Sequence, residues 1–177
     1  MQPSARVPAL DVSIRAYEPR DLQACRALHA ELVVRHREIY GDPTIGGDDP
    51  GAGFDDHLKN PELAVLWVAI ADGRVVGLTS LLVRGDEADV EPIVVTSGAR
   101  SRGVGGALLE HAIEEARRRG IRFLGAKPVA RNVEALAFFH DHGFATLGHL
   151  DVFLELSKPT PREWKDGVRV HGRRYRY

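Results

Sequence analysis

Arg100, Ser101, Arg102, Gly103, Val104, Gly105 and Gly106 follow one another without interruption. Glycines let a backbone approach a ligand closely. Arginines offer a planar fork of donors that suits phosphate. At the start of a helix, such a turn also points unpartnered N–H groups at an anion. The chemistry implied is the holding of a phosphorylated ligand. It is not a nucleoside-triphosphate loop, because no Gly-Lys-Ser/Thr ends it. It is not a dinucleotide fingerprint either, because a pattern counted from Gly103 puts Leu108 where the third glycine belongs. A tight turn made only for packing is the plainer reading of an isolated glycine cluster.

Two acids precede the turn. Asp89 and Glu91 stand two apart in a stretch of strand character, which sends both to one face. Either carboxylate can take a proton from a reacting group. A bulge at Pro92 would re-aim the strand, so both stay open, beside the plain reading of solvent-facing acids. His140 and His142, two apart on a helix, do not face each other, and no cysteine or acidic cluster completes a metal site with them. No metal is expected.

The elements that must position these residues are legible from periodicity. Residues 1–10 read as a loose lead-in. Val12 to Tyr17 alternates as a first strand, and Leu22, Cys25, Leu28, Leu32 and Val33 mark a helix from about Asp21 to Ile39. Residues 41–56, with five aspartates and no basic residue, read as a long acidic loop. This is either a solvated connection or a flap that attracts a cation. Ala64 to Ala71, Val75 to Val83 and Ala88 to Val95 form an antiparallel meander, with Asp72-Gly73 as a hairpin turn. A helix from Ala107 to Arg119 and a strand from Ile121 to Ala126 follow, and the crossover makes a parallel pair. Asn132 to His142 is a further helix and Gly148 to Leu156 a further strand. Residues 158–177, with seven Lys/Arg against two acids, end in a hairpin of 168–170 with 174–176. The hairpin is an added edge, a dimer contact or a cover over the ligand.

A chain of 177 residues suits one domain with a real core. Its 44% apolar and 28% charged residues are ordinary for a soluble globular protein. A net charge of −1 gives no whole-molecule attraction to nucleic acid or membrane, so neither is an expected partner. The single cysteine, Cys25, builds no disulfide framework. With no signal-peptide-like or membrane-length apolar run, the expected place is the cytoplasm.

Arg100-x-x-Gly103-x-Gly105 resembles the Gln/Arg-x-x-Gly-x-Gly/Ala signature of the GNAT superfamily of acyl-CoA-dependent N-acyltransferases. Asn132-x-x-Ala135-x-x-Phe138-Phe139-x-x-x-Gly143-Phe144 is similar to that family's second recurring motif, and the order of elements from Val12 to about Leu156 fits as well. The resemblance implies a single α/β (α+β) domain over residues 12–157. It has a mixed central sheet of six to seven strands flanked by helices, with 158–177 as a C-terminal extension. It further implies acetyl-CoA as co-substrate and a small-molecule or peptide amine as acceptor, with a homodimer left open. Carried over, the Val94 and Val95 backbone bonds the pantetheine arm and acyl carbonyl. The amides from Arg100 to Gly106 cradle the pyrophosphate, Asn132 contacts the pantetheine, and Ala135, Phe138 and Phe139 line the thiol end. Asp89 matches a position where some members hold a catalytic glutamate, while Glu91 lies closer to the expected transfer point. One residue departs from the pattern: the usual tyrosine that protonates the thiolate is Phe139, and a phenyl ring has no proton to give. Water, His140 or His142 would have to serve, or activity is weak, or the chain binds acyl-CoA without catalysis.

Overall fold

The computed structural model describes residues 8–156, 162 and 164–177. Strand β1 (Ser13–Ala16) leads through a short 3-10 turn into helix α1 (Leu22–Tyr40). Helix α2 (Ala52–Leu58) precedes the meander β2 (Leu63–Ala71), β3 (Arg74–Arg84) and β4 (Glu87–Val95). Helix α3 (Val104–Arg118), β5 (Phe123–Gly125) and α4 (Val133–Asp141) follow, and β6 (Asp166–Val170) with β7 (Arg173–Arg176) closes the chain. The main sheet runs β1-β2-β3-β4-β5, antiparallel except for the parallel β4–β5 pair; β6 and β7 form a separate antiparallel hairpin. The class is the expected mixed α/β one, with five strands in the sheet among the described residues rather than six or seven. Among the described residues, no helix is long and apolar enough to cross a membrane.

Each face of the sheet buries its own cluster. On one face Trp67, Leu81, Ala88 and Val90 gather with Leu109, Ala112 and Ala116 of α3. On the other, Leu66, Val68, Leu78 and Val94 gather with Cys25 and Leu28 of α1 and Phe54 of α2. Strand parity puts Ala88, Val90 and Val94 on one face, yet Val94 lies opposite the other two. The register explains it. Leu81 pairs with Val90 but Thr79 pairs with Ile93, so β4 carries one extra residue between them. This is a bulge at Glu91-Pro92, where the sequence had raised one, and it turns the end of β4 over relative to its start.

Two expectations need correction. The end of the acidic segment is not loop: Ala52–Leu58 is helical, although Gly51 and Gly53 argue against it. Phe54 is fully buried, edge-on to Tyr17 at 5.9 Å, and burying such a ring is worth about 1.5–3 kcal/mol, enough to offset weak propensity. Second, Gly148–Leu156 forms no strand, and residues 145–156 are exposed. Alternation alone does not make a strand, because the ladder needs a neighbour, and β5 is only three residues long. The boundary expected at residues 157–158 and the start of the lead-in, residues 1–7, lie outside the described residues.

Candidate active site

The glycine-rich turn is fastened on both flanks. Glu31 of α1 accepts from the Thr96 hydroxyl at 2.6 Å and the Ser97 amide at 2.9 Å, and it lies 3.6 Å from the Arg100 guanidinium. Arg100 Nε donates to the Val95 carbonyl at 2.9 Å. Further on, the Leu10 amide donates to the Arg102 carbonyl at 3.0 Å, and Arg102 Nε to the Pro8 carbonyl at 3.2 Å. Ser101 takes φ +58°, and Gly103, the cap of α3, takes φ +85°, a left-handed conformation that favours glycine. No side chain caps α3. Its first N–H groups therefore lack the side-chain acceptor that most helix starts carry, the arrangement that suits an incoming anion.

Three elements converge here. A methyl group added at Gly105 would sit 3.5 Å from the Phe138 ring of α4 and 3.8 Å from Val95 at the end of β4. One added at Gly106 would sit 3.3 Å from His142 Nε2. His142 Nδ1 donates to the Phe138 carbonyl at 2.7 Å, and its ring lies over Phe138 at 4.5 Å. Val94 and Val104 are buried beneath the turn. Asn132 caps α4, accepting from the Ala135 amide at 3.1 Å. Phe139 is buried against Phe138 and Phe144, with centroid distances of 5.3 and 5.4 Å, and His140 is exposed. The turn, Val95, Phe138 and His142 thus meet, while Phe139 belongs to the core.

The two acids have different surroundings. Asp89 is nearly buried, bonded to Lys127 at 2.6 Å and to Arg84. Burial pushes its carboxyl up, but the bonds from Lys127 and Arg84 together hold it below the usual carboxylate range. It fits only because residue 125 is glycine: a methyl there would lie 2.6 Å from Asp89 Oδ1. Glu91 is exposed. Its carbonyl accepts from the Ser80 hydroxyl, and Ser80 Oγ lies 2.8 Å from His57 Nε2. A carbonyl only accepts, so the serine proton is committed to it and His57 must donate through Nε2. Burial, followed by the neighbouring His29, pushes the His57 imidazole below its ordinary pKa.

The sequence pattern does not single out Ser80, His57, Glu31 or Lys127, which come from β3, α2, α1 and the stretch after β5. No short-range pattern links them. Gly125 within an apolar strand was the one available signal of close approach. Of the acidic segment, Asp42, Asp49, Asp55 and Asp56 pair with Arg162, Arg26, Arg26 and Lys59 of the same chain.

The sequence profile of the Acetyltransferase (GNAT) family matches residues 29–144, about two-thirds of the chain. The streptothricin acetyltransferase of Streptomyces lavendulae is 29% identical over 119 residues, 63% of each chain, so the match spans under two-thirds of that relative. YwnH of Bacillus subtilis (strain 168), whose proposed activity is phosphinothricin acetylation, is 27% identical over 77% of this chain and 86% of its own. Among solved structures, the PaiA N-acetyltransferase of Thermoplasma acidophilum in complex with coenzyme A shares the fold. Its TM-score is 0.61 at 15% identity, over 80% of this chain and 94% of that one. The matched span runs from α1 through α4 and contains the glycine turn, the bulged strand and the Asn132 cap, so the chain belongs to the GNAT family of acetyltransferases.

Proposed function

We propose that the chain is an N-acetyltransferase that moves the acetyl group of acetyl-CoA to a primary amine of a small molecule or peptide. The observation that carries this is the uncapped, glycine-built start of α3 set against Val95 and Phe138. Such a cradle suits a pyrophosphate, since its donors are backbone amides and no Cβ fills the space at Gly103, Gly105 or Gly106. The amides from Arg100 to Gly106, with Ser101, Arg102 and Val104 among them, hold that group. The Val94 and Val95 backbone and Asn132 hold the pantetheine arm, and Ala135 and Phe138 line the thiol end, with Phe139 packed behind Phe138 in the core. Acetyl-CoA supplies the thioester. The amine nitrogen attacks its carbonyl carbon, the C–S bond breaks, the amine gives up a proton and the departing sulfur gains one. Glu91 takes the amine proton in this reading: it is exposed on the bulge, whereas Asp89 is held by two cations and is the second candidate. The working unit is a cytoplasmic homodimer that needs neither nucleic acid nor membrane.

Phe139 favours a second reading, a non-catalytic acyl-CoA-binding protein, because a buried phenyl ring offers no proton to the thiolate. One experiment separates them. Acetyl-CoA should raise the melting temperature, and thiol release should follow on adding amines from a panel that includes streptothricin-like and amino-acid amines. Binding without release from any amine selects the second reading. No binding at all removes both.

A further inference from the structure

Between β4 and the glycine-rich turn stands a short 3-10 turn, Ser97–Ala99, and its cap residue Thr96 gives it no side-chain bond. The first amides of such a turn stay unpartnered unless something outside caps them. Here the cap comes from another element. Glu31 of α1 accepts from the Ser97 amide on Oε2 at 2.9 Å and from the Thr96 hydroxyl on Oε1 at 2.6 Å. Each carboxylate oxygen therefore has its own donor, and both donors lie just before the residues that form the anion cradle.

Helix α1 is a firm base for this contact. Cys25 and Leu28, before Glu31, share a buried cluster with Val94 of β4. Arg35, one turn after it, lies 3.2 Å from Glu134 in the first turn of α4. The helix thus touches the turn and α4 together. Both arginines of the turn are tied at Nε to backbone carbonyls, Arg100 to Val95 and Arg102 to Pro8. The start of α3 offers backbone amides to a phosphate, and amides cannot swing as side chains do. Their direction follows from the course of the chain between Thr96 and Gly103. A carboxylate repels an anion, so Glu31 is no ligand for one, and the Arg100 guanidinium at 3.6 Å offsets its charge.

We propose that Glu31 is a positioning residue for acetyl-CoA: from α1 it caps the Ser97–Ala99 turn and thereby sets the angle of the amides that receive the pyrophosphate. This rests on the acetyl-CoA reading above and adds a residue to it. Binding then depends on the reach of the side chain and not on its charge. Two substitutions divide these. Glu31→Asp keeps the charge and loses one methylene of reach. Glu31→Gln keeps the reach: its carbonyl oxygen accepts from the Ser97 amide, and its amide nitrogen donates to the Thr96 hydroxyl.

The test needs no acceptor amine. Acetyl-CoA is titrated calorimetrically into the full wild-type chain and the two variants, and hydrogen exchange is followed on the same proteins without ligand. Because the lost bonds are to a charged group, Glu31→Asp should raise Kd about tenfold or more, while Glu31→Gln stays within about threefold of wild type. The Ser97 and Ala99 amides should exchange faster in Glu31→Asp, with those of 108–116 unchanged and the melt still cooperative. Wild-type affinity in Glu31→Asp overturns the proposal. So does a Glu31→Gln protein as weak as Glu31→Asp, since charge would then sustain binding, and so does tighter binding in both. Faster exchange at 108–116 as well would mean a general loosening and overturns it too. A wild-type chain that gives no heat with acetyl-CoA removes the acetyl-CoA reading itself, and this proposal with it.

Discussion

Lys127 Nζ lies 2.6 Å from Asp89 Oδ2, so the first of the two candidate acids spends its charge inside the protein. Lys127 comes from the stretch after β5 and Asp89 from β4, so the pair ties the parallel strands together beside the bulge. Replacing Asp89 with Asn should lower stability by about 1–3 kcal/mol, since Lys127 and Arg84 lose a charged acceptor. Replacing Glu91 with Gln should leave the melting temperature unchanged and lower kcat by about 10²–10⁴-fold. Thermal melts and steady-state rates on both variants check this. A D89N protein of native stability with no turnover would reverse the assignment.

Gly125→Ala places a methyl 2.6 Å from Asp89 Oδ1. The carboxylate must move, and the expected loss is about 1–3 kcal/mol, as for overpacked sites. Because the methyl acts through the carboxylate, the double variant with Asp89→Asn should depart from additivity by about 0.5–3 kcal/mol in a denaturation cycle. Additive effects would mean that the two residues are not coupled.

At the α3 cap, Gly103→Val forces a branched residue to φ +85°, which costs about 1–3 kcal/mol or breaks the turn. Gly105→Leu drives atoms beyond Cβ into Phe138. Wild type at a hundredfold excess over Kd should gain about 2.7 kcal/mol from acetyl-CoA. Both variants should lose that gain while still melting cooperatively, as read by differential scanning fluorimetry.

Cys25 is fully buried, and burial, with Asp21 nearby, pushes its thiol up to about 12. At neutral pH it is therefore a thiol and not a nucleophile. Native protein should show no reaction with a disulfide reagent over the time of an assay, and one thiol per chain should appear after denaturation. Thiol released in a reaction then reports free CoA alone.

Acid should weaken the fold in two stages. Burial lowers the imidazoles of His57 and His36 below 6.5, so the stability held by their neutral forms is present above that value and falls as pH drops through the lower, folded-state values. Asp89 and Asp21 are held below 3.8, so their contribution is complete above it and is lost only in stronger acid. Melting temperature should decline from pH 7 toward pH 5. His57→Gln, which keeps a donor for Ser80 Oγ, should flatten that first decline.

What the sequence determined by itself was everything carried by local period and short spacing. The meander with its Asp72-Gly73 turn, the helix behind Gly103 and the Asn132 motif depend on residues within a few positions of one another, so pattern suffices. The tertiary structure decided the matters that rest on contacts between distant segments. Phe54 made a helix from a glycine-rich stretch because a core received its ring. Gly148–Leu156, with a strand's alternation, forms no strand because a strand exists only beside a neighbour. Asp89 and Glu91 look equivalent at two-residue spacing. Lys127, Arg84 and Gly125 separated them, since a carboxylate's freedom is set by the charges that folding brings to it.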